Sequence, residues 1–387
     1  MPLAHAALEP LLGLAMVPGV GPARLALLLR RFGSAERVLA APAEELRALP
    51  GFGAEIVRRV AAASTTEGRE RTRKALERLD RMGAVAITPD DLAYPAAFRR
   101  LPDAPFLLFA TGNLELLGRP GIAIVGTREP TPYGREAAAR LSADLARAGY
   151  LIVSGMARGI DAAAHAAALD AGETTIGVLG HGIDVVYPRE NALLFQAVRE
   201  RGLLVSELPP GEEPRAGNFP RRNRLIAALS EGVLVVEMGL KSGAQHTVSY
   251  ALEQGKEVFA VPGPIGSAAS AGTNQLLKDG ARLVTSAEDI LEELRGVGRP
   301  GPVVPAAREE VPAAAAPAAG SRSPAAEPEG LSPEEAQVWG VLRAEPLHVD
   351  ELAHASGLAP SNVLAALLGL ELRGAVESLP GKQYRRA

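Results

Sequence analysis

Ile122-Ala-Ile-Val-Gly-Thr-Arg128 is followed by a helical pattern over residues 134–148 and then by Leu151-Ile-Val-Ser-Gly-Met-Ala-Arg-Gly-Ile-Asp161. Each half opens on an unbroken apolar run and turns through glycine into an Ala/Leu-rich stretch. A strand that is apolar throughout needs cover on both faces, and a helix between two such strands makes them parallel. The alternation continues outward through Thr175-Ile-Gly-Val-Leu179, Leu203-Leu-Val205, Val233-Leu-Val-Val236, Glu257-Val-Phe-Ala-Val261 and Arg282-Leu-Val284, with another helical pattern over 159–171. The reading is α/β: a Rossmann-like doubly wound parallel sheet spanning 86–296. Ligands of such sheets bind beyond the carboxyl ends of the strands, which directs attention to a few turns.

The first strand ends in Gly126-Thr-Arg128. This is not GxGxxG, and no acidic residue closes the second strand, so a nicotinamide-dependent oxidoreductase is disfavoured. In the second turn Ser154, Gly155 and Gly159 can form an anion-binding loop at a helix start, with Arg158 adding a full charge. Asp161 reads as a helix N-terminal charge or an arginine partner rather than a catalytic group, and His165 as an interior histidine rather than a base. The densest signal is Phe219-Pro-Arg-Arg-Asn-Arg224, placed directly before a helix over 225–229. Arg221, Arg222, Asn223 and Arg224 supply phosphate forks and Phe219 a ring on which a base can stack. The competing reading pairs one or two of these arginines with Asp161, Glu207 or Glu237, Arg224 being the structural member because it lies deepest in the helix. Lys241, Ser242 and Gly243, and Val261-Pro-Gly263 with Gly272-Thr-Asn274, again put glycine and small polar groups before helices. Such repetition suits a ligand with several phosphates. Alanine substitution of Arg128, Arg158, Arg221 or Arg222 is expected to weaken binding of that ligand and leave the fold intact.

The chain has 387 residues, 47% hydrophobic and 22% charged, with a net charge of −4. These values fit a multidomain globular protein. No apolar run is long enough for a membrane span and no signal peptide opens the chain, so a cytoplasmic location and no membrane partner are expected. Cys is absent, which removes disulfides, thiolate nucleophiles and Cys-type zinc sites. The six His show no HxH or HExxH spacing, and neither a metal nor a cofactor is expected. Charge is uneven: residues 1–85 hold 13 Lys+Arg against 9 Asp+Glu, whereas 86–296 hold 20 against 25.

Segment 1–85 repeats a motif: Val17-Pro-Gly-Val-Gly21 and Leu49-Pro-Gly-Phe-Gly53 each precede a helix. The free amides of such a helix start can meet a phosphate oxygen; the alternative is a helical bundle that uses glycine only to turn. The pair resembles a tandem of helix-hairpin-helix (SAM-like) motifs. Between 297 and 330, 17 of 34 residues are Pro or Ala, composing a linker. Segment 331–387 starts with a capping box at Ser332 and Glu335, with Pro333 at the first helical position. Two further helices, over 349–355 and 360–373, and a hairpin over 375–384 make a winged helix. Its third helix carries Val363, Leu364, Leu367, Leu368, Leu370 and Leu372 against one basic residue, so a protein contact is favoured over sequence-specific DNA reading. A basic wing of Arg373, Lys382, Arg385 and Arg386 leaves phosphate contact open.

Taken in order, Ile124-Val-Gly-Thr-Arg128, Ser154-Gly-Met-Ala-Arg-Gly-Ile-Asp161 with His165, Phe219-Pro-Arg-Arg-Asn-Arg224, Ser242-Gly243, Val261-Pro-Gly263 and Gly272-Thr-Asn274 closely resemble the DNA-processing protein A (DprA/Smf) family over residues 95–290. The resemblance implies a non-enzymatic homodimer that binds and protects incoming single-stranded DNA and loads the RecA recombinase onto it during natural transformation. The sequence departs from the family pattern at Ala244-Gln-His-Thr247, where Gln245 and His246 replace apolar residues and either disturb the helix start or add polar contacts to DNA. The rival enzyme reading, a phosphoribohydrolase acting on nucleoside monophosphates, lacks its PGGxGTxxE signature. A third reading, a transcription regulator acting through the tail, requires sequence-selective duplex binding by 331–387 alone.

Overall fold

All seven strands expected from the apolar runs form and lie parallel, and two unexpected strands join them antiparallel at one edge. The computed structural model describes residues 5–296, 331–343, 347–373, 375–379 and 383–386, in two compact units, Met1–Pro305 and Ala306–Ala387. The Pro/Ala-rich stretch 297–330 lies outside the described residues.

The first unit begins with six helices, α1 (His5–Ala15), α2 (Pro22–Phe32), α3 (Ala35–Ala40), α4 (Ala43–Arg47), α5 (Ala54–Ala63) and α6 (Thr66–Met82). The repeated turns precede α2 and α5, as their spacing predicts. Gly19 and Gly51 sit at φ of 91° and 80°, a region that side chains disfavour. Arg24 donates to Gly19 O (2.6 Å) and Arg59 to Pro18 O (3.2 Å), so each arginine satisfies a carbonyl of the first hairpin. These helices do not stand apart: Val60, Leu76 and Leu79 share one apolar cluster with Phe109, Leu179 and Leu204 of the sheet. The boundary expected at 85 is therefore a change of architecture within one packed body.

The sheet contains β1 (Val85–Ile87), β2 (Leu108–Gly112), β3 (Gly121–Val125), β4 (Leu151–Ser154), β5 (Thr175–Leu179), β6 (Leu203–Ser206), β7 (Gly232–Val235), β8 (Glu257–Ala260) and β9 (Arg282–Leu283). Their order is β1-β2-β6-β5-β4-β3-β7-β8-β9, antiparallel for β1/β2 and β2/β6 and parallel from β6 to β9. The sheet is thus mixed rather than wholly parallel. Between the strands run α7 (Ala96–Arg99), α8 (Pro132–Arg147), α9 (Ile160–Asp170), α10 (Ala192–Arg201), α11 (Asn218–Ala228), α12 (Ala244–Glu253), α13 (Ala271–Lys278) and, last, α14 (Ala287–Gly296). Alternate residues serve opposite faces: Leu151 and Val153 pack beneath α11 and α12, whereas Ile152 packs with α8, α9 and α14. This is why the strand runs are apolar without interruption. From β3 the chain moves outward through β4, β5 and β6, then returns to place β7 on the other side of β3. The β3/β7 junction is the topological switch point, where such sheets open a crevice.

The second unit holds α15 (Pro333–Val341), β10 (Leu347–His348), α16 (Val349–Ser356), α17 (Pro360–Leu372), β11 (Val376–Leu379) and β12 (Gln383–Arg386), with sheet order β10-β12-β11. This is the winged helix, and the Ser332–Glu335 capping box is formed. Val363, Leu367 and Leu370 of α17 point into its own core with Trp339, while Leu364 is exposed. Arg386 stacks on Trp339 (4.4 Å to the ring centroid) and Arg373 pairs with Glu335 (3.6 Å). Arg373 and Arg386 of the expected wing therefore have intramolecular roles. Lys382 lies outside the described residues.

Candidate nucleic-acid interface

The loops beyond β3 and β7 are tied together by Thr127 N donating to Glu237 O (2.7 Å). Glu237 is buried and accepts from Thr131 N and Oγ1 (2.7 Å each). Its carboxylate thus caps the approach to α8 rather than pairing with an arginine of 221–224. Beside this tie opens a cleft of about 680 Å³ whose walls include Gly126, Thr127, Arg128, Phe219, Arg222, Asn223, Lys241, Ser242 and Gly243. Eight of the fifteen residues singled out from sequence thus converge on one crevice. The other seven, Ser154, Gly155, Arg158, Gly159, Arg221, Arg224 and Asn274, are not among its lining residues.

Helix α11 starts at Asn218, seven residues before the expected start at 225, so Phe219-Pro-Arg-Arg-Asn-Arg224 forms its opening turns. Pro220 is tolerated there because the first amides of a helix have no intrahelical acceptor. The helical phase then separates the three arginines. Arg221 is exposed, with Nε 3.7 Å from Glu207. Arg222 is buried, donates to Gly155 O (2.9 Å) and makes a short hydrogen bond to Val178 O. Arg224 is buried and spans Asp103 and Glu207, each at 2.7 Å. The expected structural role of Arg224 is present. Arg222, expected to be free for ligand without supporting the fold, instead joins the ends of β4 and β5.

Burial dominates the electrostatics beneath the cleft. It pushes Asp161 up from the usual carboxylate range despite the nearby Arg222 charge and two backbone donors, and it lowers Arg222 to about 10. His165 is likewise lowered to about 3, by burial first and by Arg222 second. Its Nδ1 lies 2.7 Å from Thr175 Oγ1, whose proton goes to Ile152 O, so the histidine serves as an interior group.

The glycine-rich turn after β4 is filled from within. Ser154 Oγ donates to Ile124 O (2.7 Å), and the Asp161 carboxylate accepts from Gly155 N (3.0 Å) and Ala157 N (3.3 Å). The donors expected to hold an external anion thus already have acceptors inside the protein. Asn191, which sequence reasoning missed, binds the same turn from the opposite side through Met156 O (3.0 Å) and Ala157 O (3.1 Å). Arg158 projects outward and pairs with Glu190 at 2.5 Å. Asn274 closes on Gly263 through both its amide atoms (3.0 and 3.2 Å). Gln245 and His246 are exposed while Thr247 is buried, so the family departure there does not disturb the helix core.

Two guanidinium groups flank the Phe219 ring in the cleft, and of these Arg128 is exposed while Arg222 is buried. Arg128 lies 5.6 Å and Arg222 6.0 Å from the Phe219 centroid. Among the described residues, neither Arg128 nor Lys241 has an ion-pair partner within 4.0 Å. Both are exposed. A second cavity of about 670 Å³ opens where β7 and β8 begin, lined by Asp103, Glu231, Glu253 and Glu257 as well as Arg100, Arg224 and Lys256. Its carboxylates make it a poor seat for a polyanion. No cluster of three or more His, Cys, Asp or Glu able to hold a metal occurs among the described residues.

Comparison with known proteins agrees with this architecture. A family model described as DNA recombination-mediator protein A matches residues 85–295, a DprA winged helix domain matches 322–382, and a SAM-like helix-hairpin-helix tandem matches 11–63. Protein Smf of Synechocystis sp. is 35% identical, covering 96% of each chain. The X-ray structure of DNA processing protein A from Streptococcus pneumoniae superposes with a TM-score of 0.59 at 32% identity, covering 76% of this chain and 99% of that one. A structure of DNA processing protein A from Helicobacter pylori, described for its single-stranded DNA binding mode, gives a TM-score of 0.50 at 35% identity, covering 55% of this chain and 96% of that one. With a matching sheet domain, tandem hairpins and winged helix in the same order along the chain, this protein belongs to the DNA recombination-mediator protein A (DprA/Smf) family.

Proposed function

We propose that this chain is a DNA-processing protein that binds single-stranded DNA in the β3/β7 cleft, without catalysing a reaction on it. The observation that carries this reading is the placement of exposed Arg128 and Lys241, without an ion-pair partner among the described residues, on the walls of a crevice that also holds the Phe219 ring. Phosphates meet the two cations, bases meet aromatic surface, and no array of base-edge readers imposes a sequence. A duplex keeps its bases stacked inside and cannot offer both features at once. Arg158 and Arg221, exposed at the rim, add charge once phosphate competes with their carboxylate partners.

The same reading extends to a cytoplasmic homodimer formed through the sheet domain, which protects incoming strands during natural transformation and loads RecA onto them. Family membership supports these finer steps, together with the winged helix, whose α17 buries Val363, Leu367 and Leu370 and leaves Leu364 outward for protein rather than groove contact. Light scattering on the full chain tests the dimer, and co-sedimentation with RecA tests the recombinase contact. The defining experiment is a gel-shift titration with single-stranded and duplex DNA of one sequence. Preferential, sequence-tolerant and salt-sensitive single-strand binding is expected; duplex preference, or release of base from a nucleoside monophosphate, would replace this reading.

A further inference from the structure

Tyr187 stands in the loop between β5 and α10, lines the same cleft as Phe219 and Arg128, and keeps 40% of its surface exposed. Its ring centroid is 5.6 Å from that of Phe219, with the planes 30° apart. The buried His181 meets it edge-on at 6.0 Å and 75°. Tyr187 is therefore braced by two aromatic neighbours.

Phe219 is the more enclosed ring of the pair. Arg128 and Arg222 approach it, and Gly180 lies so close that a β-carbon there would stand 2.8 Å from the ring. A base could not slide between the two rings as they stand. Insertion needs two stacking intervals of about 3.4 Å each, whereas the centroids are 5.6 Å apart. The open aromatic surface for a ligand is consequently Tyr187, with Phe219 stacked next to it as support.

We infer that Tyr187 is a base-stacking residue: its exposed ring takes the face of one nucleobase of a single strand whose phosphates are held by Arg128 and Lys241. The ring accepts any of the four bases, since each has a π-face, and the tyrosine hydroxyl keeps its polar end in water. A polyanion without bases, such as polyphosphate, gains nothing from it. This assignment rests on the single-strand reading above and names Tyr187, rather than Phe219, as the ring that meets the base.

The test compares two labelled ligands by fluorescence anisotropy with the full chain: an oligo-dT strand and a strand of equal length built of abasic sugar-phosphate units. The wild-type protein is expected to bind oligo-dT more tightly. Tyr187→Ala should weaken oligo-dT binding roughly 5- to 150-fold, the range of one base–aromatic stack, while changing abasic binding by less than about twofold; Tyr187→Phe should retain oligo-dT affinity. Tyr187→Leu, which fills the volume without a π-face, makes the same comparison if the alanine variant is unstable. Equal losses on both strands, or unchanged oligo-dT affinity, overturn the stacking role. If Arg128→Ala and Lys241→Ala still weaken both ligands in that case, single-strand binding in the cleft stands alone. A wild-type protein that binds neither strand overturns both readings.

Discussion

Arg222 and Asp161 approach each other across Gly155: Nη2 of the arginine lies 2.6 Å, and Oδ2 of the aspartate 2.8 Å, from where a β-carbon on residue 155 would stand. The two charged groups share this space only because residue 155 has no side chain. Gly155→Ala should therefore push both groups from their hydrogen bonds and lower stability by roughly 1–3 kcal/mol, as overpacking in a buried site does. Gly243→Ala, with nothing within 4 Å of its added carbon, should leave Tm unchanged. Thermal denaturation of the two variants side by side checks the contrast.

Arginines of one motif should separate into different classes. Arg222→Ala strips Gly155 O and Val178 O of a donor and leaves Asp161 buried without its nearby positive charge, at a cost of roughly 3–5 kcal/mol. Arg222→Lys should not rescue it, because an ammonium cannot reproduce the planar fork. Arg128→Ala, at an exposed position, should weaken single-strand binding without changing the denaturant midpoint. Urea unfolding and DNA titration on the same preparations give both readouts.

How much of this was legible in advance depended on how local the cause was. Strands β3 to β8 could be read because two-sided burial writes itself as unbroken runs such as Leu203-Leu-Val205, whereas both residues of the edge strand β9 are exposed. β1 has only three residues, and the segment before β2 is broken by Pro102 and Pro105, so neither carried a strand pattern. Arg224 was assigned from helix depth alone. The burial of Arg222 depends on β4 and β5 ending opposite its helical phase, and Tyr187 and Asn191 come from an irregular segment whose position only the closed fold sets.

Glu190 restrains Arg158 through an exposed ion pair. Glu190→Gln should free the guanidinium for phosphate, raising single-strand affinity and steepening the dependence of log K on log salt by about 0.7, the contribution of one neutralised phosphate. A salt series on this variant and on Arg158→Ala checks it; the gain should vanish when the arginine is absent.

Stability should fall as pH drops below about 6.5. The unfolded chain takes up a proton at His165 near that pH, whereas the folded protein holds the histidine neutral down to about 3. The unfolded state therefore binds more protons in this window, and each pH unit costs up to about 1.4 kcal/mol for this group. His181, also lowered by burial, acts in the same direction, while Asp161, raised by burial, opposes both as carboxylates begin to protonate. His165→Asn, whose amide can still donate to Thr175, should flatten the Tm–pH profile between pH 7 and 5.

In the proposed complex single strands lie in the β3/β7 cleft against Arg128 and Lys241. Single-strand affinity measured across a salt series for the wild type and for the Arg128→Ala/Lys241→Ala double variant tests it most directly. An unchanged Tm, a large loss of affinity, and a salt slope shallower by about 0.7 for each of the two phosphates released are expected. A double variant that binds with wild-type affinity and wild-type slope would contradict it and place the DNA elsewhere on the molecule.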